Sequence, residues 1–371
     1  MRPNAFPLLL ACAPLLPAPP PKAPKPLIQV ALLLDTSNSM DGLIGQAKAQ
    51  LWTFVNEFAP LRRDGLAPEL QVALFEYGKS SIPAGEGHLR MVLPFTTDLD
   101  RVSEQLFALT TRGGDEYCGL AIQSATGSLA WSADPRDLRV IFIAGNEPFT
   151  QGAVDYRGSC TRALQKGIQV NTLFCGPERE GVDTKWADGA RLGGGAYMAI
   201  DQNRQAVHIP SPLDGEIEKL GLELNKTYIP LGSAGKLGLA NQAAQDANAA
   251  SAGTGSVSQR RKAKSSGFYR ADAWDLIDAE KSGQKKLETV DRQDLPEEMR
   301  SMTQAQARAY VDAKAKARAE LQARIQKLSA EREKFVAARR AELEAKAGAR
   351  TLDAAMVESL REQARAKGFK K

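Results

Sequence analysis

Six short apolar runs, separated by segments with helical periodicity, constrain the fold of this chain more than any other feature. The first run, residues 27–34, is almost continuously apolar, which is typical of a strand buried on both faces of a parallel sheet. The other runs are 70–77, 89–95, 139–144, 168–174 and 196–200. The alternation predicts an α/β fold: a doubly wound, mostly parallel six-stranded sheet flanked by helices. Any site should then lie at the carboxyl ends of the strands.

Changes in composition divide the remainder of the chain. A helix-period segment at 213–224 closes the α/β domain, for which we predict the bounds 27–231. Residues 232–266 are rich in Ala, Gly, Ser, Asn and Gln, which predicts a flexible linker. We predict that residues 267–371 are a charged, α-helical C-terminal region.

The C-terminal region carries an apolar seam and a basic charge. Leu321, Ile325, Leu328 and Phe335 fall at helical spacings, which predicts a long helix that forms part of a weak coiled coil and could mediate oligomerisation. From Arg300 onward the sequence has 18 Lys and Arg against 9 Asp and Glu. Without interleaved aromatic residues, this charge favours a solvated helix over a specific nucleic-acid-binding arm.

The N-terminus, residues 1–26, has the composition of a leader followed by a proline-rich spacer. Its apolar stretch, 6–18, is too short and too rich in proline to span a bilayer, and it is typical of a secretory signal peptide. The residues up to Cys12 resemble a lipobox, where a bacterial lipoprotein is cut and acylated. We expect a secreted, periplasmic or lipid-anchored protein, with membrane attachment through Cys12; an unstructured cytosolic leader is the alternative.

A group of oxygen-bearing side chains follows the first strand. Asp35, Ser37 and Ser39 lie on the first strand-to-helix turn, where side chains converge above the strand ends. Carboxylate and hydroxyl oxygens are hard ligands that suit Mg²⁺ best, with Mn²⁺ or Ca²⁺ as alternatives. The competing interpretation is that these oxygens only cap the following helix.

These residues resemble the first loop of the metal-ion-dependent adhesion site of von Willebrand factor type A (VWA) domains. Gly113-Gly114-Asp115 resembles the second loop, and the strand ending at Gly145 resembles the fourth strand and third loop. The resemblance covers about half of the chain and implies a protein-binding module with a metal site at Asp35, Ser37, Ser39 and Asp115. Asp115 replaces the family's usual Thr and Gly145 its usual Asp, so we expect a degenerate site with altered ligand preference.

Three cysteines remain if Cys12 is removed or acylated. Cys118, Cys160 and Cys175 are all predicted near the rim of the metal loops. One disulfide and one free thiol is the simplest outcome in an oxidising compartment, with Cys160–Cys175 the candidate pair and Cys118 the alternative member. Buried free thiols are the competing expectation.

The sequence does not favour an enzyme. His88 and His208 are the only histidines, and the chain has no nucleophile elbow, P-loop or dinucleotide fingerprint. We therefore predict an exported, non-enzymatic adhesion or scaffold module that binds a protein ligand at its strand-end face. The alternative is a cytosolic assembly scaffold or docking factor for an ATPase or secretion complex.

Overall fold

The computed structural model describes residues 25–200, 209–347 and 352–371. The predicted signal and Cys12 lie outside these residues. No helix within the described ranges is both long enough and apolar enough to cross a membrane.

A six-stranded sheet with the order β3-β2-β1-β4-β5-β6 forms the centre of the fold. Neighbouring strands are parallel except for β3, which runs antiparallel to β2. The prediction of a doubly wound, mostly parallel sheet flanked by helices is thus confirmed. The strands are β1 Leu27–Asp35, β2 Glu69–Tyr77, β3 Arg90–Thr96, β4 Leu138–Gly145, β5 Gln169–Cys175 and β6 Gly194–Ile200.

Helices cover both faces of the sheet, because alternate side chains of each central strand enter opposite cores. In β1, Val30 and Leu32 join one buried apolar cluster, whereas Ala31 and Leu33 join the other. The helices of this part are α1 Asp41–Phe58, α2 Leu99–Ala108, α3 Cys118–Ser128, α4 Tyr156–Gln165, α5 Glu178–Asp183, α6 Trp186–Leu192 and α7 Asp214–Asn225.

The flexible linker predicted for residues 232–266 was wrong, because two packed helices occupy this segment. These are α8, Gly232–Ser251, and α9, Thr254–Lys264. Gln242 of α8 is buried and donates a hydrogen bond to the Tyr269 hydroxyl at 2.9 Å. Among the residues that indicated a linker, Ala and Gln are good helix formers, and Gln242 and Gln245 are buried hydrogen-bonding groups.

A buried charge cluster fixes α8 and α9 to the sheet domain. The Arg260 guanidinium is almost fully buried, lies over the Trp52 ring, and pairs with Asp246 and, at 2.7 Å, with Asp100 of α2. Lys264, also fully buried, donates to Asn225 and Asp246. Asp100 and Asp246 are therefore the carboxylates that face the buried cations of α9 inside the protein.

The C-terminal region is helical and packs against its own chain. Ile325, in the long helix α12, is fully buried with Leu220 and Leu224 of α7, and Leu321 and Leu328 are partly buried there. Much of the seam predicted for a coiled coil thus contacts the domain itself, while Phe335 remains exposed. The helices are α10 Leu276–Ser282, α11 Glu297–Arg300, α12 Gln304–Ala347 and α13 Leu352–Ala366.

The last helix lies at the amino ends of the strands. Gln363 of α13 donates to the fully buried Asn171 near the start of β5, at 2.6 Å. Arg62 and Lys370 form an antiparallel bridge, and Phe369 packs under the Arg63 guanidinium. This C-terminal segment is therefore at the end of the sheet opposite to Asp35.

We predict that Arg260→Ala destabilises the protein by about 3–5 kcal/mol, because it leaves the buried Asp100 carboxylate without its counter-charge. Arg339→Ala is the matched control, since the Arg339–Glu342 pair is exposed and its loss should change stability little. Denaturant unfolding measures both variants. If the two substitutions lowered the free energy of unfolding equally, the buried cluster would not be what holds α9 in place.

Candidate functional site

The turn after β1 places Asp35 at the centre of the strand-end face. Asp35 is the last residue of β1 and is fully buried. Its Oδ1 accepts a hydrogen bond from the Ser37 amide at 2.7 Å. The carboxylate is therefore oriented by its own turn.

Hydrogen bonds bring three strand-end turns together around Asp35. The Ser37 and Ser39 hydroxyls are 3.2 Å apart, and Ser39 also lies within hydrogen-bond distance of the Asn146 amide group after β4. Asn38 Oδ1 accepts from the Gly113 amide at 2.7 Å, which joins the first turn to the turn before α3. Oxygen atoms from separate turns thus converge above β1 and β4.

Glu116, rather than the predicted ligand Asp115, has its carboxyl group beside Asp35. Asp115 is exposed and accepts a hydrogen bond from the Tyr117 hydroxyl at 2.9 Å. Glu116 is buried, and a Cβ at Gly78 would lie 2.7 Å from Glu116 Cγ and 2.8 Å from Asp35 Oδ1. Both acidic side chains therefore pack against Gly78, whose φ of +75° also favours glycine.

Glu116 was missed because the sequence offers two neighbouring acids and no signal that selects between them. In an irregular loop, neither strand nor helix periodicity tells which side chain turns inward. The family resemblance placed Asp115 at the family's usual Thr position, counted from the two glycines. A shift of one residue is within the error of such a count.

Two buried carboxylate oxygens at this junction lack a hydrogen-bond partner among the described residues, Asp35 Oδ2 and Glu116 Oε2. Burial raises the pKa of Asp35 to about 6, against the opposing hydrogen bonds to Glu116 and Ser37. Burial, followed by the charge of Asp35, raises the pKa of Glu116 to about 9. The pair therefore retains a proton near neutral pH unless a cation compensates its charge.

Tyr77 occupies the space that a side chain at position 145 would need. Its hydroxyl is buried and donates to the Ala144 carbonyl at 2.8 Å. A Cβ at Gly145 would lie 2.6 Å from that hydroxyl and 3.1 Å from Asp35 Oδ2. Glycine is required at 145 because any side chain would displace Tyr77.

The donor set fits a hard divalent cation better than a soft one. Asp35, Ser37, Ser39 and Glu116 offer only oxygen atoms, two of them buried carboxylate oxygens without partners. Among the residues that the structure describes, no group of three or more His, Cys, Asp or Glu residues could hold a metal. A cation here would therefore take two carboxylates, hydroxyls and external oxygens.

The predicted disulfide is not formed, since Cys118, Cys160 and Cys175 are all buried free thiols. Cys118 and Cys160 belong to the apolar cluster on one face of the sheet, whereas Cys175 belongs to the cluster on the other face. The sheet thus separates the candidate pair Cys160 and Cys175. Burial raises the pKa of the Cys160 thiol to about 12, so it is protonated at neutral pH.

No family model and no curated protein matches the sequence. Similar solved structures include BatB from Bacteroides thetaiotaomicron, at 20% identity over 47% of this chain and 90% of that chain, with a TM-score of 0.36. An aerotolerance-related membrane protein from Bacteroides fragilis is 20% identical over 47% of this chain and 92% of its own, with a TM-score of 0.33.

A third similar structure is the SpRpn10 VWA domain, at 14% identity over 52% of this chain and 94% of that chain, with a TM-score of 0.36. At these identities the likenesses concern the fold. The six-stranded, mostly parallel sheet is that of a VWA-like fold.

We predict that Gly145→Ala destabilises the protein by about 1–3 kcal/mol, because the new methyl group overlaps the Tyr77 hydroxyl. In a Tyr77→Phe background the same substitution should cost clearly less, since the overlapping oxygen is gone. A double-mutant cycle by chemical denaturation measures the difference. Equal costs in the two backgrounds would contradict the account of Tyr77.

In a chelating buffer, the free energy of unfolding should fall as pH rises from about 5 to about 9. The raised pKa values mean that the folded chain holds protons that the unfolded chain has released. Glu116→Gln should reduce this slope, by up to about 1.4 kcal/mol per pH unit, and Asp115→Asn should retain it. Unfolding curves at several pH values test this, and an unchanged slope in Glu116→Gln would disprove the coupling.

Proposed function

We propose that this chain is a non-enzymatic protein-binding module that uses its strand-end face, with a divalent cation held by Asp35, Ser37, Ser39 and Glu116. The observation that carries the proposal is the pair of buried carboxylate oxygens without partners at the junction of the turns. Desolvated carboxylates without a counter-charge are unfavourable, so the pair selects for a cation or a proton. VWA-like neighbours are in keeping with a protein partner.

The residues of the proposed site would contribute different kinds of ligand. Asp35 and Glu116 are both buried under the strand-end face, and their carboxylates would supply negative charge to the cation. Ser37 and Ser39 supply neutral oxygens, and Ser39 is exposed at the surface. A bound Mg²⁺ would supply a positive charge with coordination positions open to a partner's oxygen. The remaining strand-end loops then form the contact surface.

Export is part of the proposal and rests on the composition of residues 1–26. We propose a secreted, periplasmic or envelope-anchored protein, with Cys12 as the acylation site. Sequencing the mature N-terminus by mass spectrometry tests this directly. An intact N-terminus beginning at Met1 would favour the alternative of a cytosolic docking factor for an ATPase or secretion complex.

Calorimetric titration with Mg²⁺ and Mn²⁺ tests the cation site. We expect binding at millimolar concentrations or below, loss of binding in Asp35→Asn, and a roughly tenfold or greater weakening in Glu116→Gln, because ligand charge sets affinity. Asp115→Asn is the matched control and should bind normally, since its side chain points to solvent. Absence of binding in the wild-type protein would reject the cation.

The binding role is tested by partner capture from an extract of the native cell. Wild-type protein should retain a partner that Asn38→Trp releases, because a large side chain on the exposed first turn blocks the face. EDTA should also release it if the cation takes part. Capture that is insensitive to both changes would place the interaction elsewhere on the molecule.

A further inference from the structure

The loops of the strand-end face carry the opposite charge from the chain as a whole. The segments 78–89, 109–117, 146–155 and 176–185 contain eight acidic and four basic residues, whereas the full chain has a net charge of +5. Asp35 adds a ninth carboxyl group at their centre. The strand-end face therefore carries a net negative charge, although the whole protein carries a net positive charge.

One of the four basic residues pairs with a buried acid of the sheet, which also pairs with Arg90. The Lys79 ammonium lies 3.0 Å from Glu76 Oε2, and the Glu76 carboxylate is fully buried at the side of the sheet. Its charge is therefore engaged by an acid outside the loops. Glu147, beside Asp35, and Asp115 are exposed.

A second observation concerns the centre of this face, where the two buried carboxyl groups of Asp35 and Glu116 meet. Asp35 Oδ2 is fully buried, lacks a partner among the described residues, and is directed toward the turn at Gly145, since a Cβ there would lie 3.1 Å away. Glu116 Oε2 is likewise buried and without a partner in the described part of the chain. A cation in the centre neutralises these two groups but not the exposed rim.

We propose that the partner of this face presents a basic segment, rich in Arg or Lys, to the rim formed by Asp115 and Glu147. This inference rests on the proposed protein-binding function and adds the charge of the partner to it. Because two carboxylates already compensate a central divalent cation, an acidic side chain gains less from approaching it. The acidic rim repels such a side chain and attracts guanidinium or ammonium groups.

Fluorescence anisotropy with two labelled peptides of about twelve residues, one of alternating Arg and Gly and one of alternating Glu and Gly, tests the proposal. We expect the Arg peptide to bind, and to weaken as salt shortens the screening length to about 8 Å. The variant Asp115→Asn/Glu147→Gln should weaken it roughly fivefold. The control Glu297→Gln/Glu298→Gln removes two exposed acids elsewhere and should not.

The outcomes separate this inference from the proposed function. Equal loss in the control variant would show that the Arg peptide binds non-specifically, and would overturn the inference. Binding of the Glu peptide that requires Mg²⁺ would also overturn it while supporting the cation site. If native partner capture persists but neither peptide binds, the protein-binding function stands and the basic partner is disproved.

Self-association is a further outcome. Sedimentation that shows oligomers dissolved by salt and by Asp115→Asn/Glu147→Gln would assign the face to the basic tail of a second copy. That result would also overturn the assignment to a separate partner protein.

Discussion

The buried guanidinium of Arg260 determines how the C-terminal half of the chain packs. An arginine cannot lose its proton inside a protein, so its burial requires acidic partners at close range. Asp100 comes from the sheet domain and Asp246 from α8, and both reach Arg260 of α9. The VWA-like core and the helices after it therefore pack as one unit, and α12 lies on the surface that they form together.

At the centre of the site, the second carboxyl group beside Asp35 is that of Glu116. Tyr77 fills the space beside Gly145, so no side chain can be placed at position 145 of the third loop. Glu116 brings a carboxyl group from the second loop instead, over the open surface of Gly78. Two carboxylates therefore meet at the centre of the strand-end face, and hydroxyl oxygens of the first turn lie near them.

The apolar runs predicted the sheet correctly, whereas amino-acid composition did not predict how residues 232–266 pack. Continuous apolar runs such as 27–34 leave few alternatives to buried parallel strands, so the mostly parallel sheet could be predicted. Residues 232–266 looked like a linker because Ala, Ser and Gln serve equally in exposed chains and in closely packed helices. The choice between Asp115 and Glu116 depends on loop dihedral angles, which no periodicity encodes. The separation of Cys160 from Cys175 by the sheet is equally a matter of three-dimensional placement.

The position of α13 gives the molecule a defined polarity. The bridge between Arg62 and Lys370 places the C-terminus near the start of β1, where the Leu27 amide donates to Asp137. Both described chain ends thus leave from one pole, and the acidic loops occupy the other. The chain therefore enters the fold at residue 25 from the pole opposite to the acidic loops.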